Sequence, residues 1–121
     1  MVWFSQQQKE CYWKKGKLHG LSREWNKNGQ KMMEGNNKDG KKDGLWTLWY
    51  ENGQKKSEFY MNGEIFNGSF ISWYESGNKK MEGNFKDRKR DGVFIYYDKT
   101  GEETSRESYF QGILKSELKS R

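Results

Sequence analysis

The sequence predicts an all-β fold, an elongated single antiparallel β-meander of repeated 24-residue β-hairpins. Three observations predict it. Gly20, Gly44, Gly68 and Gly92 stand 24 residues apart, and so do Gly29, Gly53, Gly77 and Gly101. Five residues after each glycine of the first set comes an aromatic ring: Trp25, Trp49, Trp73 and then Tyr97. Five residues after each of the second set comes Glu34, Glu58, Glu82 and then Arg106, with Glu10 one period earlier. Four units and a leading half-unit thus follow one another without an insertion. That is the signature of a stacked array, in which each unit buries its apolar surface against its neighbours.

The elements follow in order. Each unit opens on a segment rich in β-branched and aromatic residues: Leu21–Trp25, Leu45–Tyr50, Ser69–Tyr74 and Val93–Tyr97. Such runs have the length and composition of strands. They are closed by Lys27-Asn28-Gly29, Glu51-Asn52-Gly53, Glu75-Ser76-Gly77 and Lys99-Thr100-Gly101. Glycine in these turns supplies positive φ at little steric cost, and a two-residue or a three-residue loop suits it. A polar strand returns, as in Gln54–Met61, and a second turn follows, as in Lys38–Gly44. One domain, residues 1–121, then divides into a half-repeat 6–19, repeats 20–43, 44–67, 68–91 and 92–115, and a polar tail 116–121. The half-unit is expected to cap one end, and Tyr109–Leu114 the other.

The two-residue period puts Leu45, Thr47 and Trp49 on one face of the sheet and Trp46, Leu48 and Tyr50 on the other. The first set carries the structural rings Trp25, Trp49, Trp73 and Tyr97, which are expected to meet Gly35 and Gly83 on the returning strands. The second set recurs as Phe70 and Tyr74 and as Phe94, giving a stripe of Trp46, Phe70 and Phe94. A single-layer sheet does not bury both faces, so this stripe is expected to meet solvent, a partner or another copy, unless ribbon twist fills a core with it.

The turn Gly40-Lys41-Lys42-Asp43-Gly44, the strand that follows and the reversal Trp49-Tyr50-Glu51-Asn52-Gly53-Gln54-Lys55 resemble the MORN repeat (membrane occupation and recognition nexus). They are most similar to the variant repeat of bacterial proteins that act as antitoxins of toxin–antitoxin pairs. The resemblance covers residues 9–114. It implies a MORN-like open sheet that serves as a binding platform and has no catalytic residues of its own. Two departures stand out: Gly63-Glu64-Ile65-Phe66-Asn67 replaces the lysine-bearing turn, and Glu107 stands where Gly35 and Gly83 stand.

Composition narrows the function classes. The chain is 33% charged with a net charge of +6, and only 31% hydrophobic, a balance that borders on disorder. Six Trp, seven Tyr and no Pro argue for a packed chain. A single cysteine, Cys11, excludes an internal disulfide framework and a cysteine zinc cluster, and fits a reducing compartment. The opening Val2-Trp3-Phe4 is too short for a signal sequence and no run is long enough to span a bilayer, so a cytoplasmic location is expected.

Candidate sites follow from the repeat. The glutamate series Glu10, Glu34, Glu58 and Glu82 suggests metal or acid–base chemistry, but equivalent positions lie two strands apart, about 9.6 Å, too far to share one ion. Cross-strand pairing with Lys or Arg is the better reading. His19 sits in the slot taken by Asp43, Asn67 and Asp91 and is expected to hydrogen-bond its own turn. Cys11 is expected to be a packed, inert thiol. No metal, cofactor or catalytic set is expected, and the chain is read as a non-enzyme.

The partner-binding candidates are Trp46, Phe70, Phe94, Tyr50 and Tyr74, with the apolar turn pair Ile65 and Phe66 either an exposed anchor or tucked onto a neighbour. Lysines recur on both edges: Lys14 to Lys17, Lys38 to Lys42 and Lys86 to Arg90 on one, and Lys31, Lys55, Lys56, Lys79 and Lys80 on the other. Lys41, Lys42, Lys89 and Arg90 are the electrostatic candidates. The preferred reading is a scaffold that engages a protein through its aromatic face; by resemblance, that protein is a toxin. The alternative is an adaptor for acidic membrane lipids, such as phosphoinositide head groups, through the lysine edges. The regular aspartates in the turns speak against nucleic acid, and self-association through the open sheet ends is a further expectation.

Overall fold

The computed structural model describes residues 2–5 and 8–115, so the polar tail 116–121 and residues 6 and 7 of the half-unit lie outside the described residues. Among the described residues, twelve strands form one antiparallel sheet: β1 (Val2–Ser5), β2 (Lys9–Lys14), β3 (Lys17–Trp25), β4 (Lys31–Lys38), β5 (Lys41–Trp49), β6 (Lys55–Asn62), β7 (Ile65–Trp73), β8 (Lys79–Lys86), β9 (Lys89–Arg90), β10 (Gly92–Tyr97), β11 (Glu103–Phe110) and β12 (Ile113–Leu114). Spatial order follows chain order, with β9 and β10 both pairing β8 as two parts of one outgoing strand. The expected all-β meander is therefore the fold. β1 adds a strand beyond the expected half-unit cap. Among the described residues, no helix is long and apolar enough to cross a membrane.

Two kinds of reversal alternate. At one edge, Gly29 N–H donates to Asn26 O at 2.9 Å while Asn26 N–H donates to Gln30 O at 2.8 Å. The same pair of bonds recurs at Tyr50–Gln54, Tyr74–Asn78 and Asp98–Glu102. This is a three-residue loop with glycine in the left-handed region, at φ 89° to 102°. At the other edge the loops have two residues, Lys15-Gly16, Asp39-Gly40, Gly63-Glu64, Asp87-Arg88 and Gln111-Gly112, all with positive φ, the mark of type I′ turns. The second residue of each of the last four donates its N–H to a carbonyl 22 residues back: Gly40 to Leu18, Glu64 to Lys42, Arg88 to Phe66 and Gly112 to Arg90. These bonds lock each turn to the one before it.

Gly20, Gly44, Gly68 and Gly92 are not turn residues, as the sequence reading had them. They lie inside the outgoing strands at positive φ, where three residues face one on the preceding strand: His19 to Leu21 face Tyr12, and Asn67 to Ser69 face Tyr60. Strands β3, β5 and β7 therefore start four residues earlier than predicted. A bulge of this kind bends the strand and sharpens its twist.

The bend builds the core. Directly opposed residues share a face, and one row crosses the sheet as Cys11, Ser22, Gly35, Trp46, Phe59, Phe70, Gly83 and Phe94. Trp46 is 2% exposed and Phe94 0%. Of the two readings of the Trp46–Phe70–Phe94 stripe, Trp46 and Phe94 follow the one in which a core is filled, which corrects their expected exposure, while Phe70 stays half-buried. Each ring is covered from its own strand by the residue four positions earlier, carried over it by the bulge: Lys42 Nζ lies 5.2 Å from the Trp46 ring, Phe66 meets Phe70 edge-on at 5.8 Å, and Arg90 Cζ lies 5.0 Å from the Phe94 ring. Gly35 and Gly83 do make room for rings, but for Trp46 and Phe94, whose atoms a Cβ at either glycine would overlap. The room was expected to serve the Trp49 set instead.

The outer face carries Glu10, Arg23, Glu34, Thr47, Glu58, Ile71, Glu82, Ile95 and Arg106 in one row. Arg23 bridges Glu10 and Glu34 at 3.1 and 3.4 Å, Lys31 pairs with Glu34, and Lys55 and Lys79 pair with Glu58 and Glu82 at 2.9 and 3.1 Å. The glutamate series is thus ion-paired to Lys and Arg. The same lysines cover structural rings, Lys31 over Trp49 and Lys55 over Trp73. Tyr97 donates its hydroxyl proton to Glu82 at 2.6 Å, and this bond, with Lys79, holds the Glu82 carboxyl below the usual carboxylate range.

Candidate functional site

A groove of about 550 Å³ opens on the inner face of the two central hairpins. Its floor is Ser57, Ser72 and Met81, which oppose one another across β6, β7 and β8. One row away the same strands are filled by Phe59 and Phe70, so the small floor residues leave a hollow beside the aromatic core. Phe70 closes that end, and Tyr50, Tyr74 and Tyr96 wall the rest.

The walls are fixed by the repeat. Tyr50 donates its hydroxyl proton to Trp73 O at 2.7 Å, and Tyr74 donates to Tyr97 O at 2.8 Å. Each tyrosine is therefore pinned to the next hairpin along the array. Tyr96 accepts a hydrogen bond from Arg90 Nη1 at 3.0 Å. Rings held at both ends cannot swing away, and a preformed wall lowers the entropy cost of binding.

Lys56 and Lys80 stand at the rim. Strict alternation from Ser57 would put Lys56 on the outer face. The register, however, shifts where Leu48 faces Ser57 and Trp49 faces Lys55, leaving Lys56 as an extra residue. The same shift at Ser72 and Trp73 frees Lys80. Each bulge turns its lysine inward, with Nζ 5.6 Å from the Tyr50 ring and 5.7 Å from the Tyr74 ring. Sequence reading put both on a turn edge; their position in a bulge explains the difference.

Of the predicted partner-binding residues, the groove brings together Phe70, Tyr50 and Tyr74. Trp46 and Phe94 are core, and Phe66 is tucked among Phe59, Phe70 and Phe85. Ile65 lies at the start of β7, paired to Asn62, away from the groove. Lys41 and Lys89 are exposed, whereas Lys42 and Arg90 are half-buried over rings, and Lys42 also approaches Glu64 at 3.7 Å. Cys11 is 1% exposed and free. His19 Nδ1 is buried without a hydrogen-bond partner among the described residues, so it makes no bond to its own turn; Asn67, in the same slot, accepts from Asp87 N–H at 3.1 Å, a bond to the next turn along the array rather than to its own. Ser57, Ser72, Met81 and Tyr96 were missed as site residues. The available signal was that Tyr50 with Lys56 and Tyr74 with Lys80 occur in two units only, where the others have Asn26 with Met32 and Asp98 with Thr104.

The MORN repeat variant family matches residues 42–63 and 66–87. The two matched stretches begin 24 residues apart and contain the floor and most of the walls of the groove. No curated protein matches the chain.

Proposed function

We propose, for a chain that is a MORN-repeat protein, a non-catalytic role in which the groove of the two central hairpins seats part of a protein partner. MORN repeats fit a binding or scaffold role, and the groove supports reading it as the docking surface. The observation that carries the reading is the uneven distribution of side chains. The glycine turns, the Trp25, Trp49, Trp73 and Tyr97 rings and the turn-to-turn bonds recur throughout the array and serve the fold. The Tyr50–Lys56 and Tyr74–Lys80 pairs recur only where the hollow is. Rigid aromatic walls beside an apolar hollow are the usual anchors of protein recognition. The resemblance to antitoxin-type repeat proteins makes a toxin the first partner to try.

The second reading, an acidic-lipid adaptor, draws on the turn edge, where Lys14, Lys15, Lys17, Lys38, Lys41, Lys86 and Lys89 are exposed. A photo-crosslinking residue separates the two. Placed at position 80 in source cells, it should yield discrete protein adducts, and placed at position 88 it should not. Adducts that are equal at both positions, or lipid adducts at position 88 alone, would overturn the protein reading.

A further inference from the structure

We infer that the groove selects an acidic peptide segment of its partner, with one apolar side chain seated on Ser57, Ser72 and Met81. The inference rests on the groove being the docking site. It comes from a difference in charge balance between the two faces. On the outer face, Lys31, Lys55 and Lys79 each lie beside a glutamate three residues on, Glu34, Glu58 and Glu82. On the groove side, neither Lys56 nor Lys80 has a carboxylate within ion-pair distance among the described residues. Arg90, which holds Tyr96 in place, touches phenol hydroxyls and ring faces rather than a carboxylate. Beyond Tyr74 the hollow continues to Glu75 and Lys99. Three lysines, Lys56, Lys80 and Lys99, thus face a single glutamate around an apolar hollow.

The occupant follows from what these groups leave open. Lys56 and Lys80 lie over the Tyr50 and Tyr74 rings, which takes up ring faces that stacked bases would need. A peptide carboxylate meets the ammonium groups from the rim without displacing them from the rings. An aliphatic or aromatic side chain fills the hollow between the walls. Acidic residues flanking one apolar anchor satisfy both parts of the site.

The test is selection of a random twelve-residue peptide display library on the full chain, followed by fluorescence anisotropy of the synthesised winners. The expected winners carry acidic residues on either side of one apolar residue. Their affinity should fall about tenfold in a Lys56→Glu, Lys80→Glu double variant, from two exposed ion pairs lost, and should weaken as salt rises. A Lys14→Glu, Lys38→Glu variant of equal net charge should leave affinity unchanged. Winners that are lost in Tyr74→Ala but are neutral or basic would overturn the acidic inference and keep the groove as the docking site. Winners that ignore both Tyr74→Ala and the lysine reversal, or no winners while anionic vesicles bind, would overturn both.

Discussion

The first hairpin and the last two use one backbone to enclose two chemically different interiors. In β3 and β4 the inner positions are Ser22, Gly35 and Asn37, with Cys11 beside them, and Asn37 Nδ2 donates to Ser22 Oγ at 2.6 Å. From β6 onward those positions hold Phe59, Phe70, Phe85 and Phe94. With Phe66 and Tyr109 they form a chain of ring contacts at 5.2 to 5.9 Å. The amino-terminal unit compensates on its outer face, where Glu10, Arg23, Glu34 and Lys31 form an ion-pair chain. Exposed and half-exposed pairs contribute less than buried rings. In an array whose stability sums over units and their interfaces, the two ends should therefore open at different free energies.

The comparison can be broken most sharply at Phe94. Phe94→Ala removes a fully buried ring and should cost about 3–5 kcal/mol, measured as a fall in the urea midpoint. If the loss is under about 1 kcal/mol, the ring chain is not the anchor of the carboxy-terminal half. Gly83→Ala forces a methyl group against the same ring and should cost about 1–3 kcal/mol by overpacking. At the other end, Asn37→Ala leaves the Ser22 hydroxyl buried without its partner, and about 1–2 kcal/mol is expected. Amide exchange should then quicken across Lys17–Lys38 and stay slow beyond Lys55. Exchange that quickens evenly would mean that the halves do not open separately.

Two smaller effects sharpen the picture. Arg88 sits at φ 77° in a turn position that Gly16, Gly40 and Gly112 fill elsewhere. Arg88→Gly should raise stability by about 1 kcal/mol, from relief of left-handed strain, read as a higher thermal midpoint. The least of the effects is pH-dependent. Glu82 has a depressed pKa in the folded chain, through Tyr97 first and Lys79 second, so its contribution is fully present above the usual carboxylate range and is lost as pH falls below that range through the depressed folded value. The gap in thermal midpoint between the parent and Tyr97→Phe should be larger at pH 7 than at pH 3. A gap that grows on acidification would reverse the sign and exclude this bond as its source.

The period, the antiparallel order and both edges of turns were legible because glycine, asparagine and the aromatic runs act locally, through φ and alternation. The burial of Trp46 and Phe94 was not. It depends on Lys42 and Arg90 being carried over those rings by bulges at Gly44 and Gly92, and alternation alone gives no sign of a bulge. The groove was half legible for the same reason. Tyr50, Tyr74 and Phe70 follow from the repeat, whereas Lys56 and Lys80 reach the inner face only because the register slips by one residue beside each loop. Where the returning strand departs from strict pairing, a repeat gains a side chain that the pattern places on the wrong face.

The amide bonds from Gly40, Glu64, Arg88 and Gly112 back to the preceding turn also bear on how such a chain can change its length. Each hairpin offers its successor the same set of acceptors that it received, so a whole unit can be duplicated or excised and the new neighbours will still match. An insertion of any other size would put the wrong carbonyl beside the turn whose span it interrupts. Descent by whole modules, with the grip reshaped inside one or two of them, is the route this architecture leaves open.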